Sequence, residues 1–184
     1  MHLKKTIAII DMGDAGIEAE ALRQTTEWFG YIVVIYRIGR PQHFIDILEG
    51  KTITQFDFII ISCHGQHGKQ NGEIIMPELG EDVYLPDEPR GNFGCNEINK
   101  YLALKDTCII NLGCTTGHED MCNAFAKNGN TYIAPADYIE GNSALAFAVM
   151  FFYYIAQHGD SFETAYKKAS AIDSEANLFV FKQK

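Results

Sequence analysis

A histidine and a cysteine each follow a short apolar run in this 184-residue chain, and no other pair of side chains is better suited to do chemistry. Phe58–Ser62 is followed closely by His64, and residues 107–112 are followed closely by Cys114. Both apolar runs are typical of buried strands. In an open α/β sheet, ligands bind beyond the carboxyl ends of the strands. Neighbouring parallel strands would therefore bring His64 and Cys114 together, as a thiol nucleophile and an imidazole base.

The surroundings expected for Cys114 favour this chemistry. A free thiol has a pKa of about 8.5, so a catalytic cysteine needs a nearby histidine or a helix N-terminus. A helix predicted to begin near Glu119 supplies the second of these. Gly65 and Gly113 are expected to let a substrate backbone approach, with main-chain N–H groups facing an oxyanion. Taken alone, each motif is more often structural, as a buried cysteine or a turn.

The order of the predicted elements gives the fold class. Strands are predicted at residues 6–10, 31–36, 58–62, 107–112, 131–133 and 178–181. Helices are predicted at about residues 17–28, 41–48, 98–102, 119–128, 141–158 and 162–169. This alternation predicts an α/β protein whose central, mostly parallel six-stranded sheet has helices on both faces. The length and the absence of a linker predict a single domain over residues 1–184.

Local patterns give more detailed predictions. The first helix is expected to bury one face, which comprises Ile17, Ala21, Thr25 and Trp28. The long helix near the C-terminus is expected to bury a stripe of Ala144, Phe147, Ala148, Phe151 and Ile155. Asp160 and Glu163 are expected to form a capping box for the last helix. A hairpin or flap beside His64 is expected to pair residues 73–76 with residues 83–85.

Charge and cysteine content limit the partners and the compartment. The net charge of -9, without clustered Lys and Arg, argues against a nucleic-acid partner. The longest apolar run, residues 144–156, is shorter than the roughly 20 residues of a membrane-spanning helix, so no membrane partner is expected. Five cysteines without a Cys-x-x-Cys pair indicate reduced thiols, and no signal peptide is recognisable. We therefore expect a cytoplasmic protein.

The two motifs resemble those of the caspase-like cysteine peptidases. The histidine precedes the cysteine by about fifty residues, as it does in caspases. The remainder is similar to the CHAT-domain branch in residues 123–129, 133–137, 151–153 and 161–169, and the likeness extends over residues 6–171. It implies a three-layer caspase-like fold in which Cys114 attacks the scissile carbonyl of a protein or peptide. It also implies that His64 protonates the leaving amine, that the N–H groups of Gly65 and Cys114 hold the oxyanion, and that no cofactor takes part.

The specificity pocket is not fixed by this resemblance. Caspases have Gln-Ala before the cysteine, and metacaspases and clostripain-like enzymes have an Asp two residues before it, where this chain has Leu112. We hypothesise that Asp11, Asp14 or Asp137 lines a pocket for a Lys or Arg side chain before the scissile bond. A homodimer formed through the sixth strand is a further hypothesis.

Other functions stay open at this point. The chain could be an inactive caspase-like module that binds or regulates a partner. His67 and His118 are candidate metal ligands, since His64, His67 and Cys114 could gather around zinc, but the spacing matches no zinc pattern and no metal is expected. A nucleotide-binding protein is a weaker alternative, because no Gly-x-Gly-x-x-Gly motif is present.

Overall fold

Isoleucine-rich runs form the inner strands, because a parallel strand buried on both faces must be apolar throughout. The computed structural model describes residues 5–13, 15–53 and 55–183. The strands are β1 (Thr6–Met12), β2 (Ile32–Ile38), β3 (Phe58–Ser62), β4 (Gly65–Gly68), β5 (Asn71–Ile74), β6 (Cys108–Asn111), β7 (Thr131–Pro135) and β8 (Phe179–Gln183). The α-helices are α1 (Gly16–Trp28), α2 (Pro41–Leu48), α3 (Cys95–Tyr101), α4 (Glu119–Phe125), α5 (Gly141–His158) and α6 (Phe162–Ser170).

Six of the strands form one sheet in the order β2-β1-β3-β6-β7-β8. All neighbours in it are parallel except β8, which runs antiparallel to β7. Strands β4 and β5 form a separate antiparallel hairpin, here called the site hairpin. The predicted six-stranded, mostly parallel sheet is confirmed.

Helices cover both faces of the sheet. On one face α2, α3 and α4 pack into a core that includes Phe44 and Phe125. On the other face α1, α5 and α6 pack into a second core, and all five residues predicted for the α5 stripe are buried there. Among the described residues, no helix is both long and apolar enough to cross a membrane.

The predicted buried face of α1 is wrong. Ile17 and Trp28 are each 89% exposed, whereas Ala19, Leu22 and Thr26 face the core. Thr26 is tolerated there because its hydroxyl donates a hydrogen bond of 2.7 Å to the carbonyl oxygen of Leu22. The helix therefore buries small side chains close to the sheet and leaves its largest one in solvent.

Two local predictions also need correction. Ser161, not Asp160, caps α6, since its Oγ accepts the N–H of Thr164 at 3.2 Å. Asp160 instead pairs with Lys168 at 2.6 Å. The hairpin beside His64 pairs β4 with β5, and residues 81–83 form a 3-10 turn. A two-residue turn between β4 and β5 lets the chain reverse earlier than the pattern of apolar residues predicted.

Candidate active site

Strand register aligns the two predicted motifs. Strand β3 lies parallel to β6 with Ile61 opposite Asn111. The pairing continues one step further, because the N–H of Leu112 donates to the carbonyl oxygen of Ile61 at 2.9 Å. Beyond these pairs both chains leave the sheet, with His64 two residues after the end of β3 and Cys114 three residues after the end of β6. Both residues therefore lie at the carboxyl rim of the sheet, where ligands bind in open α/β folds.

The main chains of the two motifs are in direct contact. A Cβ added to Gly65 would collide with the carbonyl oxygen of Cys114 and would lie 3.0 Å from its nitrogen. A Cβ added to Gly113 would lie 2.8 Å from the Cys63 sulfur. These glycines were expected to make room for a substrate backbone. In the structure they make room for neighbouring parts of the protein.

Both candidate groups are accessible to solvent. His64 is exposed and Cys114 is half-buried. The Cys114 sulfur lies 3.6 Å from the carbonyl oxygen of Ile139, in the segment that follows β7. Within the part of the chain that the structure describes, the N–H of Cys114 donates no hydrogen bond. Both side chains are thus open to solvent, and among the described residues the main-chain N–H of Cys114 remains available as a donor.

The residues after Cys114 are held in a strained turn. Thr115 is buried and has a φ of 63°, an unusual value for a β-branched residue. Its N–H donates to the carbonyl oxygen of Asp137 at 3.1 Å, and the N–H of Gly117 donates to that of Pro135 at 2.7 Å. The segment of residues 113–118, here called the cysteine loop, is thereby fastened to the chain that follows β7.

Glu18 belongs to the site although the sequence did not point to it. Its carboxylate accepts the hydroxyl of Ser62 at 2.6 Å, two residues before His64. Burial raises the pKa of Glu18, while the hydrogen bond from Ser62 and the charge of His64 act in the opposite direction. The position of Glu18 in the first turn after β1, at the same rim, was the available signal.

The three acids proposed for a specificity pocket occupy different surroundings. Asp11 is buried and pairs with Arg37 at 2.6 Å, and burial raises its pKa against the opposing charge of that arginine. Asp14 lies outside the described residues. Asp137 is exposed, and its carbonyl oxygen holds the cysteine loop. Of the described pair, Asp137 lies beside the cysteine, whereas Asp11 is engaged by Arg37.

His118, the last residue of the cysteine loop, lies against His67 of the site hairpin. Their ring centres are 5.1 Å apart, and the ring of Tyr138 lies 5.4 Å from that of His67. Across residues 5–13, 15–53 and 55–183, no group of three or more His, Cys, Asp or Glu is arranged to hold a metal ion. His64, His67 and Cys114 are therefore not arranged as the zinc site considered from the sequence.

The sheet order and the helices on its two faces define a caspase-like α/β fold. The chain is similar to a solved structure described as a complex of the pro- and mature domains of Porphyromonas gingivalis RgpB. The match covers 95% of this chain and 45% of that one, with a TM-score of 0.53 and 9% identity. At this identity the likeness shows the fold alone. No family model and no curated protein matches the chain, and membership of the CHAT branch stays a prediction.

Proposed function

We propose that this protein is a cysteine endopeptidase that cleaves peptide bonds with a dyad of Cys114 and His64. The packing of Gly65 against the main chain of Cys114 is the observation that supports this most strongly. Because β3 and β6 are neighbouring strands, this main-chain contact supports a dyad formed by the imidazole and the thiol at one rim of the sheet. The caspase-like fold is compatible with this role.

The reaction would follow from the positions of these groups. His64 accepts the thiol proton, and the Cys114 thiolate attacks the scissile carbonyl carbon. The N–H groups of Gly65 and Cys114 donate to the resulting oxyanion. When the intermediate collapses, the C–N bond breaks and the leaving amine takes the proton from the imidazolium of His64. Water then hydrolyses the thioester, which releases the acid and restores the thiol.

The substrate we propose carries a Lys or Arg before the scissile bond. Asp137 supports this, because its exposed carboxylate lies on the segment that holds the cysteine loop. A matched pair of fluorogenic peptides ending in Arg and in Asp tests the idea. We expect faster cleavage of the Arg peptide and a loss of that preference in Asp137→Asn, and preference for the Asp peptide would overturn it.

Thiol reactivity tests the dyad independently of any substrate. Burial raises the pKa of the thiols of Cys63, Cys95, Cys108 and Cys122, so these are expected to alkylate slowly. Iodoacetamide labelling followed by mass spectrometry should therefore modify Cys114 first, and faster than a free thiol. His64→Ala should remove that advantage, and Cys114→Ala should abolish hydrolysis.

The matched control is Cys95→Ala. Cys95 is also half-buried but lies at the start of α3, so this variant should keep full activity. If Cys114 reacts no faster than a free thiol and no peptide is cleaved, the protein is instead a caspase-like module that binds or regulates a partner. The contact of the Cys114 sulfur with the carbonyl oxygen of Ile139 favours that alternative, because it engages the thiol within the protein.

Compartment and assembly complete the proposal. All five cysteines are free, as expected for a protein of the reducing cytoplasm. Strand β8 lies at one edge of the sheet, where it could pair with the same strand of a second copy. Light scattering coupled to size exclusion would show a dimer at micromolar concentration, and a monomer would rule out this pairing under those conditions.

A further inference from the structure

Two histidines outside the proposed dyad have the spacing of a shared metal ligand pair. His67 lies on β4 and His118 immediately precedes α4, and their ring centres are 5.1 Å apart at an interplanar angle of 69°. A Zn²⁺ ion lies about 2.0–2.1 Å from each imidazole nitrogen, so two rings in a tetrahedral site have centres roughly 5 Å apart. The observed separation therefore matches a pair of imidazoles around one ion.

The state of His118 supplies a second, independent observation. Its Nε2 is buried and has no hydrogen-bond partner among the described residues. A buried polar atom without a partner calls for an explanation such as an ion or an ordered water. His67 is exposed, and exposed side chains change rotamer within nanoseconds, so a turn of its ring can admit an ion to the pair.

We propose that His67 and His118 bind one divalent transition-metal ion, with Zn²⁺ as the probe. Imidazole is a preferred ligand of Zn²⁺, Cu²⁺ and Ni²⁺. Because the described residues offer no third His, Cys, Asp or Glu in a suitable arrangement, water completes the coordination. The site is therefore open, unlike a structural zinc site with four protein ligands.

The ion would connect two elements that flank Cys114. His67 belongs to the site hairpin, and His118 ends the cysteine loop. A ligand that binds the folded state and not the unfolded chain raises stability by mass action. Zn²⁺ should therefore stabilise the protein, and this inference holds whether or not the dyad is active.

The experiment uses the reduced full chain with Cys114→Ala, which removes the accessible thiol as a competing ligand. Isothermal titration with ZnCl₂ should show one site, and at about 100 times Kd the melting temperature should rise by several degrees. His67→Gln and His118→Gln should each weaken binding roughly tenfold or more. His43→Gln is the matched control, because His43 is an exposed histidine on α2 and its loss should leave Kd unchanged.

A second measurement does not depend on how the variants fold. Zn²⁺ should protect His67 from modification by diethyl pyrocarbonate, while His43 should react equally with and without the ion. Binding that persists at full strength in both Gln variants, or equal modification of His67 with and without saturating Zn²⁺, would overturn the proposal. The two rings would then form only a side-chain contact.

Discussion

Replacing Gly65 with alanine tests how closely the histidine and cysteine motifs are packed. The added Cβ would overlap the carbonyl oxygen of Cys114 and lie 3.0 Å from its nitrogen and from the Gly113 carbonyl carbon. Because these are backbone atoms, no side chain can rotate away to relieve the overlap. Ordinary contact at about 3.5 Å requires the two segments to separate by more than about 1 Å.

The expected effects follow from that displacement. Overpacking of a buried position destabilises a protein by about 1–3 kcal/mol, and Gly65 is buried. A misplacement of about 1 Å at a reacting centre lowers the rate by roughly 100-fold. We therefore expect Gly65→Ala to lose stability modestly and to lose nearly all of its peptidase activity and enhanced Cys114 alkylation.

Urea unfolding gives the stability change, and kcat/KM with an Arg peptide gives the catalytic one. Gly39→Ala is the control, because a Cβ there has no neighbour within 4 Å, and it should change the free energy of unfolding by less than about 0.5 kcal/mol. Wild-type stability together with wild-type thiol reactivity in Gly65→Ala would refute the close packing on which the dyad depends.

Two further substitutions address the scaffold. The hydrogen bonds from Arg40 lower the pKa of Glu88 to about 2, so its contribution to stability is present above its ordinary pKa of 4.5 and is lost as pH falls from about 4.5 towards 2. Glu88→Gln should therefore lower the free energy of unfolding by about 1–2 kcal/mol at pH 7, after allowance for solvent screening of the pair, and match wild type near pH 2 in urea titrations. The control, Glu163→Gln at an exposed position, should lower it by less than about 0.5 kcal/mol. A loss in Glu88→Gln that does not depend on pH would contradict the role of the Arg40 pair. Phe147→Ala should cost about 3–5 kcal/mol because Phe147 is fully buried, whereas Trp28→Ala should be nearly neutral by thermal melting, and a large loss there would mean that Trp28 is covered in solution.

The sheet could be predicted from the sequence because its strands are continuous apolar runs, which are easy to recognise. Five apolar runs separated by helical segments could form a parallel sheet in few ways, and right-handed crossovers reduce these further. The adjacency of β3 and β6 followed from that reasoning, and it brings the His64 and Cys114 motifs to the same rim of the sheet. The α5 stripe was equally clear, because its aromatic residues recur at helical spacing.

The prediction of the buried face of α1 was wrong for a physical reason that also kept the contact of Glu18 with Ser62 from being predicted. Trp28 is the largest apolar residue of that helix and dominated the predicted face, yet the space above the sheet admits Ala19 and Thr26 instead. Rotating the helix to its actual orientation brings Glu18 to Ser62. Contacts of this kind depend on the shape of the gap between layers, which periodicity along one element does not encode.

Glycines determine the geometry of the proposed site more directly than its side chains do. A Cβ at Gly72 would collide with the carbonyl oxygen of Thr115, just as one at Gly65 would collide with that of Cys114. The site hairpin therefore rests on the cysteine loop through main-chain contacts at two points. Because Thr115 is held at a φ of 63° beneath it, neither segment can shift without breaking these contacts. It follows that main-chain packing holds the two motifs together, so that a substitution of His64 or of Cys114 should leave the backbone of the other residue in place.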